Sequence, residues 1–467
     1  MNFFRRKPLQ SVLETGKTSG LIKSLTLIDL ILLGLGGIIG TGVFTLTGVI
    51  AAEYAGPAVI LSYALAGIAC IFIALVYTEL ASMIPTSGSI YTYSYVAFGE
   101  AFAWVIASIL IIEMGLGAAA VSSGWSAYVQ GLFDAAGCPL PQAIINCPTN
   151  GGFIDLPAFL IVLSVGTMLF LGTKESKTLN NILVVVKMTA ILLFVIFAAP
   201  HFDINNWENF MPKGFDDIIY GSSILFFAFT GFGVLAATAE ECKNPEKDLT
   251  IGIIGSLVLA TIVYMLVAAA LTGMTPYYEL NNPQSLAYAL KQNGSNVGSI
   301  LVAVGGIAGM TTVIMVNIYG QSRIFYVVAR DGLIPKFMSK IHPKYDSPYM
   351  TIMVFTIFVA LAGSLVPFNK LAQLSSMGAL TDYIVVGLLV IFFRIKEPNI
   401  RRPFKCPAIY LIAPLALFLS IYLLSKQIFD VNGNLLPSGQ TYLYWLGGAL
   451  ILYLIKLISN YICTKAC

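Results

Sequence analysis

The chain has 467 residues, 57% of them hydrophobic, with only 10% Asp, Glu, Lys or Arg and a formal net charge of +3. A soluble chain of this length holds roughly three domains and carries about 25% charged residues, and a mean hydropathy of +0.84 points away from one. So few charges do not cover a water-facing surface, which excludes a soluble enzyme or a disordered scaffold, and the small net charge excludes a nucleic-acid partner; the lipid bilayer is the expected partner.

A membrane helix needs about 20 mostly apolar residues. On that measure the pattern predicts twelve spans, at 26–50, 57–84, 97–128, 155–172, 180–200, 217–238, 249–274, 296–328, 349–366, 371–393, 408–426 and 441–461. They are called spans 1 to 12 below. The residues ahead of span 1 include Arg5, Arg6, Lys7, Lys17 and Lys23, and lack the short apolar core of a cleavable signal peptide.

Span 1 carries Gly34, Gly36, Gly37, Gly40 and Gly42 within nine residues. Non-helical backbone at this depth is tolerated only when it is buried or lines a cavity. A half-helix starting near Thr41 and Gly42 would present free N–H groups and a positive dipole end to a carboxylate. Close helix packing by small residues is the plainer alternative. In span 3, Glu113 is a mid-span charge that would pair with Lys187, bind a substrate cation or brace the bundle. The loop after span 3 holds Cys138 and Cys147, whose spacing leaves open a disulfide or two free thiols. No cysteine or histidine spacing suggests a metal site, and no motif suggests a cofactor.

Lys187 lies about nine residues into span 5, or about 14 Å at 1.5 Å per residue, near the middle of the hydrocarbon core. Loss of water disfavours a charged amine, so this side chain is a candidate to load and release a proton; a permanent ion pair or bonding to backbone carbonyls is the bland reading. Span 6 contains Phe226-Phe227-Ala228-Phe229-Thr230-Gly231-Phe232-Gly233. Interruptions in spans 1 and 6, the opening helices of two five-helix halves, are the pointer to an inverted-repeat transporter with a midplane site. Carbonyls at Ile38, Phe227, Ala228 and Thr230 would accept from an ammonium, so anion capture beside cation capture suggests an amino acid. Past span 6, Glu240, Glu241 and Lys243 would form a solvated cap or an ion pair closing the inner side. In span 10, Asp382 is a third mid-span charge.

Of the 26 Lys and Arg, 21 fall on the side of the N-terminus, four on the opposite side, and Lys187 within a span. This bias places both termini in the cytoplasm.

Gly36-Gly37-Ile38-Ile39-Gly40-Thr41-Gly42-Val43-Phe44 resembles the first-helix signature of the amino acid–polyamine–organocation transporters. Phe226 to Phe232 followed by Glu240-Glu241-Cys242-Lys243-Asn244-Pro245 resembles their sixth helix and its loop. Tyr319-Gly320-Gln321-Ser322-Arg323-Ile324-Phe325, then Ala329-Arg330-Asp331-Gly332-Leu333-Ile334-Pro335, is similar to the cationic amino acid transporter branch, as are Leu110–Met114 and Ser122–Ser126. The resemblance runs from about residue 19 to 430. It implies an all-α membrane fold with a five-plus-five inverted repeat: a segment 1–25, a first repeat 26–200, a second 201–394, and two further helices in 395–467. It also implies amino acid transport by alternating access rather than an enzymatic reaction. Lys187 matches a helix-5 lysine of proton-coupled bacterial members, with Gly36 and Ile39 carbonyls as partners and Thr311 or Thr312 beside it.

Gly233 stands where the branch often has an acid, and Asp382 supplies a charge that the branch usually lacks. Neutral substrates therefore stand beside cationic ones. The resulting expectation is a proton-coupled symporter of a bacterial inner membrane. Substrate contacts are expected at Ile38, Gly40, Thr41, Gly42, Phe227, Ala228, Thr230, Phe232 and Glu113, with Phe227 or Phe232 closing the outer side. Proton coupling is expected at Lys187, Gly36, Ile39, Thr311 and Thr312. The alternatives are an exchanger without proton coupling, or an amino acid sensor or structural subunit, and the bundle leaves room for a small accessory membrane subunit.

Overall fold

The computed structural model describes residues 5–12, 21, 23–429 and 433–466. Most of the segment 1–25, including Lys17, lies outside the described residues. Among those described, the chain is all helical, and a helix occupies each of the twelve predicted stretches. Among the described residues, nine apolar stretches are long enough to cross a membrane, and Leu156–Phe170 and Tyr349–Leu365 are shorter apolar helices. The first of the nine, Leu27–Met83, is two helices that fold back at Gly56-Pro57.

Span 1 starts with a capping box in which Thr26 and Asp29 satisfy each other's amide groups. The first α-helical piece, Leu27–Ile38, stops at Ile39, whose ψ of 104° is extended. The chain resumes in a π-turn at Gly42–Leu46 and runs through Ala51–Ala55 to Gly56. Span 6 is helical over Phe215–Leu225, tightens into a 3-10 turn at Phe226–Phe229, and opens at Thr230. Gly231 follows with φ +110°, before the short helix Val234–Ala237.

The two interruptions touch. A Cβ on Gly231 would stand 2.7 Å from the Gly37 carbonyl oxygen, and one on Gly42 would stand 2.3 Å from the Ala228 Cβ. Gly231→Ala therefore meets both a left-handed φ and a backbone clash, and is expected to destabilise the fold by about 1–3 kcal/mol. Thermal unfolding of the purified protein in detergent checks this, and an unchanged melting temperature would contradict it.

Spans 2 and 7 pack on each other and flank the broken pair, span 5 packs on spans 1 and 8, and span 10 packs on spans 2, 3 and 11. Span 5 shows how the core is divided from the lipid-facing surface. Val184, Lys187, Ile191 and Phe194 form a buried stripe at helical spacing, while Ile182, Val185, Leu192 and Ile196 face outward. Lys187 thus lies on the core side.

Two features lack a sequence signal. Span 3 contains a π-turn at Ile111–Leu116 between Glu100–Leu110 and Gly117–Ala135. Short helices at Ser89–Ala97 and Ser285–Gln292 sit between spans. Before span 1, the amides of Ser24 and Leu25 donate to Glu241 O, and Lys243 N donates back to Leu25 O. The chain ahead of span 1 is thereby paired with the chain after span 6.

Candidate functional site: the paired helix breaks

Lys187 Nζ is fully buried. It donates to the carbonyls of Ile39 at 2.7 Å, Leu35 at 2.9 Å and Gly36 at 3.2 Å, and meets Thr312 Oγ1 at 2.8 Å. Three of these acceptors belong to the last turn and first broken residue of span 1, where carbonyls run short of helical partners; Leu35 O also keeps the Ile39 amide at 3.0 Å. Gly36 and Ile39 are the carbonyls named from the sequence, and Leu35 joins them. Thr312 is the threonine at this spot, also bonded to Gly36 O at 2.9 Å. Thr311 points elsewhere, accepting from Trp125 Nε1 and donating to Ile307 O, because successive residues of a helix sit on different faces.

Between the two breaks lies a small midplane cavity. Gly40, Thr41 and Gly42 line it from span 1, with Ile38 beside them, and Phe227, Ala228 and Thr230 line it from span 6. Spans 3 and 8 close it with Gly117, Val121, Val313 and Asn317. No charged side chain lines it. Two tyrosines that the sequence reading passed over hold the broken backbone. The Tyr264 hydroxyl of span 7 lies 2.7 Å from Ile38 O and 2.8 Å from Ala228 O. Its single proton is shared between one carbonyl of each broken span. Tyr63 of span 2 donates to Gly42 O at 2.9 Å. Thr230 bonds back to Phe227 O through its hydroxyl and its amide.

Phe227 also lines a second, larger cavity of about 640 Å³ that opens toward the side opposite the basic residues. This ring therefore stands between vestibule and midplane cavity. Phe232 does not line either cavity. It stacks on Tyr383 with ring centroids 5.2 Å apart and meets Tyr77 edge-on. Glu113 also lies outside the lining, on the π-turn one helical turn from Gly117. The pairing of Glu113 with Lys187 does not form, since Lys187 is held by backbone carbonyls.

The basic side is closed by buried ion pairs. Glu241 receives Arg323 Nε at 2.8 Å and the Tyr319 hydroxyl at 2.7 Å, with both charged partners about 1% exposed. The Arg323 guanidinium lies 3.6 Å over the Tyr319 ring. Glu240 receives Thr86, the Ser87 amide and Arg330. Glu240 and Glu241 are therefore closing ion pairs and not a solvated cap. A further acid, Glu79, binds Arg394 and Arg402, and the thiols Cys138 and Cys147 are separate. In the loops of this side, burial pushes the thiols of Cys242 and Cys406 up to about 11, away from thiolate chemistry.

A family model described as amino acid permease matches residues 25–455. A branched-chain amino acid permease, BcaP, of Bacillus subtilis is 42% identical over 90% of this chain and 92% of its own length. A methylthioribose transporter of the same organism is 38% identical over 87% of this chain and 88% of its own. The chloroplastic cationic amino acid transporter 9 of Arabidopsis thaliana is 36% identical over 85% and 71%. With the all-helical membrane architecture and the paired helix breaks, these likenesses establish that the chain belongs to the amino acid permeases of the amino acid–polyamine–organocation superfamily, multi-pass membrane transporters and not enzymes.

Proposed function

We propose that the protein is a proton-coupled symporter that imports a neutral amino acid across a bacterial inner membrane, with both termini in the cytoplasm. In this reading residues 26–200 and 201–394 are two inverted repeats, followed by two further helices. The substrate carboxylate meets the start of the resumed helix near Thr41 and Gly42, where N–H groups and the helix dipole favour an anion. Its ammonium meets carbonyls of Ile38, Phe227 and Ala228, and the Phe227 ring closes the outer side. Lys187, holding the broken end of span 1 through Gly36, Ile39 and Thr312, senses the proton.

The observation that carries the coupling is the lysine ammonium on the carbonyls of a broken helix, since gain or loss of one proton there changes what holds the break in place. The observation that favours a neutral substrate is the lining, which offers Val121, Val313 and Asn317 but no carboxylate. The branched-chain permease relative agrees with that choice.

Radiolabelled uptake into proteoliposomes with an inside-alkaline gradient and no sodium tests both parts. Leucine is expected to accumulate and arginine is not, with unlabelled methylthioribose as a competitor control. Uptake that ignores the gradient but requires preloaded substrate would make the protein an exchanger. Binding without any flux would make it a sensor.

A further inference from the structure

Glu113 and Asp382 are interior acids that the midplane cavity leaves unused. Glu113 is 4% exposed and Asp382 2% exposed. Their helices touch at this level. Ser375 Oγ of span 10 donates to Glu113 O at 2.7 Å, and a Cβ on Gly378 would stand 2.9 Å from the Glu113 nitrogen. Asp382 follows Gly378 by one helical turn, on the same face of span 10.

Among the described residues, neither acid forms an ion pair. Glu113 Oε2 and Asp382 Oδ1 are buried with no hydrogen-bond partner, and so are both amide atoms of Gln321 on span 8. Gln321 is fully buried, and its amide lies against Gly115, two residues past Glu113. The other titratable groups facing the two acids are Tyr77 of span 2, Tyr93 of the helix Ser89–Ala97, Tyr383 of span 10 and Tyr442 of span 12. None of these carries positive charge at any pH. Span 6 brings the rings of Phe226 and Phe232 against Tyr383.

An unpaired carboxylate inside a membrane protein is costly, and two of them without a cation cost more. A metal ion or a substrate amine would need space, yet neither acid lines the vestibule, the midplane cavity or the small cavity beside Asp29 and Lys177. A proton needs none. One proton removes a charge and turns an oxygen that has no donor into an O–H.

We propose that Glu113 and Asp382 form a second proton-binding site, separate from Lys187, which holds one proton between two helices. Because the acids sit on spans 3 and 10, a change in the angle between these helices alters how firmly the proton is shared. Movement of the bundle is thereby linked to the number of protons bound. The role in transport rests on the proton-coupled reading above, whereas occupancy of the pair does not.

Infrared spectroscopy of the purified full chain at neutral pH reads occupancy directly. A deuterium-sensitive protonated-carboxyl band is expected in the wild type and is expected to vanish in the double variant Glu113→Gln with Asp382→Asn. A wild type without that band overturns the proposal, whatever the variants do. The proton-to-substrate ratio, from reversal potentials in proteoliposomes, reads the transport role: Asp382→Asn is expected to lower it while substrate counterflow persists. An unchanged ratio in a variant that still exchanges substrate overturns that role. A wild type with no proton coupling refutes the Lys187 reading and leaves the infrared band to decide the pair.

Discussion

Lys187→Ala is expected to reduce gradient-driven uptake at least tenfold, to the level seen without a pH gradient. The lysine donates to the Gly36 and Ile39 carbonyls where span 1 stops being helical, and also to Leu35 O, which keeps its helical bond from the Ile39 amide. Hydrogen bonds to a charged group are worth about 1.5–3 kcal/mol each, so the substitution also loosens the break. Two consequences must therefore be separated. Counterflow of labelled substrate at equal pH needs the cavity but no net proton movement. If the lysine couples the proton, counterflow survives and accumulation is lost. If the lysine only braces the break, both fall together. A variant that still accumulates substrate in response to the gradient refutes coupling through Lys187.

Arg323→Ala should be the most destabilising single change on the basic side of the bundle. It leaves Glu241 buried with the Tyr319 hydroxyl as its remaining side-chain partner. Removing one member of a buried ion pair costs about 3–5 kcal/mol. The check is thermal unfolding in detergent alongside the double variant with Glu241→Gln. Removing the stranded charge should recover part of the loss, because the two residues share one interaction. Equal melting temperatures for wild type and Arg323→Ala would show that the pair contributes nothing. The same variant should leak: with the closing pair gone, substrate efflux from loaded vesicles is expected to speed up.

The glycines of span 1 and the Phe-Thr-Gly run of span 6 made both breaks legible, because five glycines in nine residues with a matching interruption in span 6 exceed what close packing alone requires. The site's backbone was therefore foreseeable, and so was the depth of Lys187. What escaped was whatever depends on rotation about a helix axis. Thr311 and Thr312 are neighbours in sequence, and nothing in the run Gly309-Met310-Thr311-Thr312 decides which one faces span 5. Phe232 looked equivalent to Phe227, but the φ of Gly231 turns the chain between them and sends the second ring toward Tyr383. Tyr63 and Tyr264 sit in otherwise apolar helices, where tyrosine reads as ordinary packing until its hydroxyl is seen to end on a broken carbonyl. The π-turn around Glu113 has no compositional signature, since one extra residue in a turn changes no periodicity that a short window can resolve.

The bridge made by the Tyr264 hydroxyl, together with the pairing of Leu25 and Cys242, has a mechanical meaning. Spans 1 and 6 are stitched at midplane by one shared proton and at the basic end by main-chain bonds. Two rods fastened at two heights cannot slide past each other or splay apart. Tilted as a single lever, they would put the bending on the chain just outside the stitched region. On one side that is Gly56, with its positive φ, and on the other the junction where Asn244 meets Pro245. Stiffness concentrated in the lever and compliance at its two ends would convert a change of one charge beside span 1 into displacement of both helices at once.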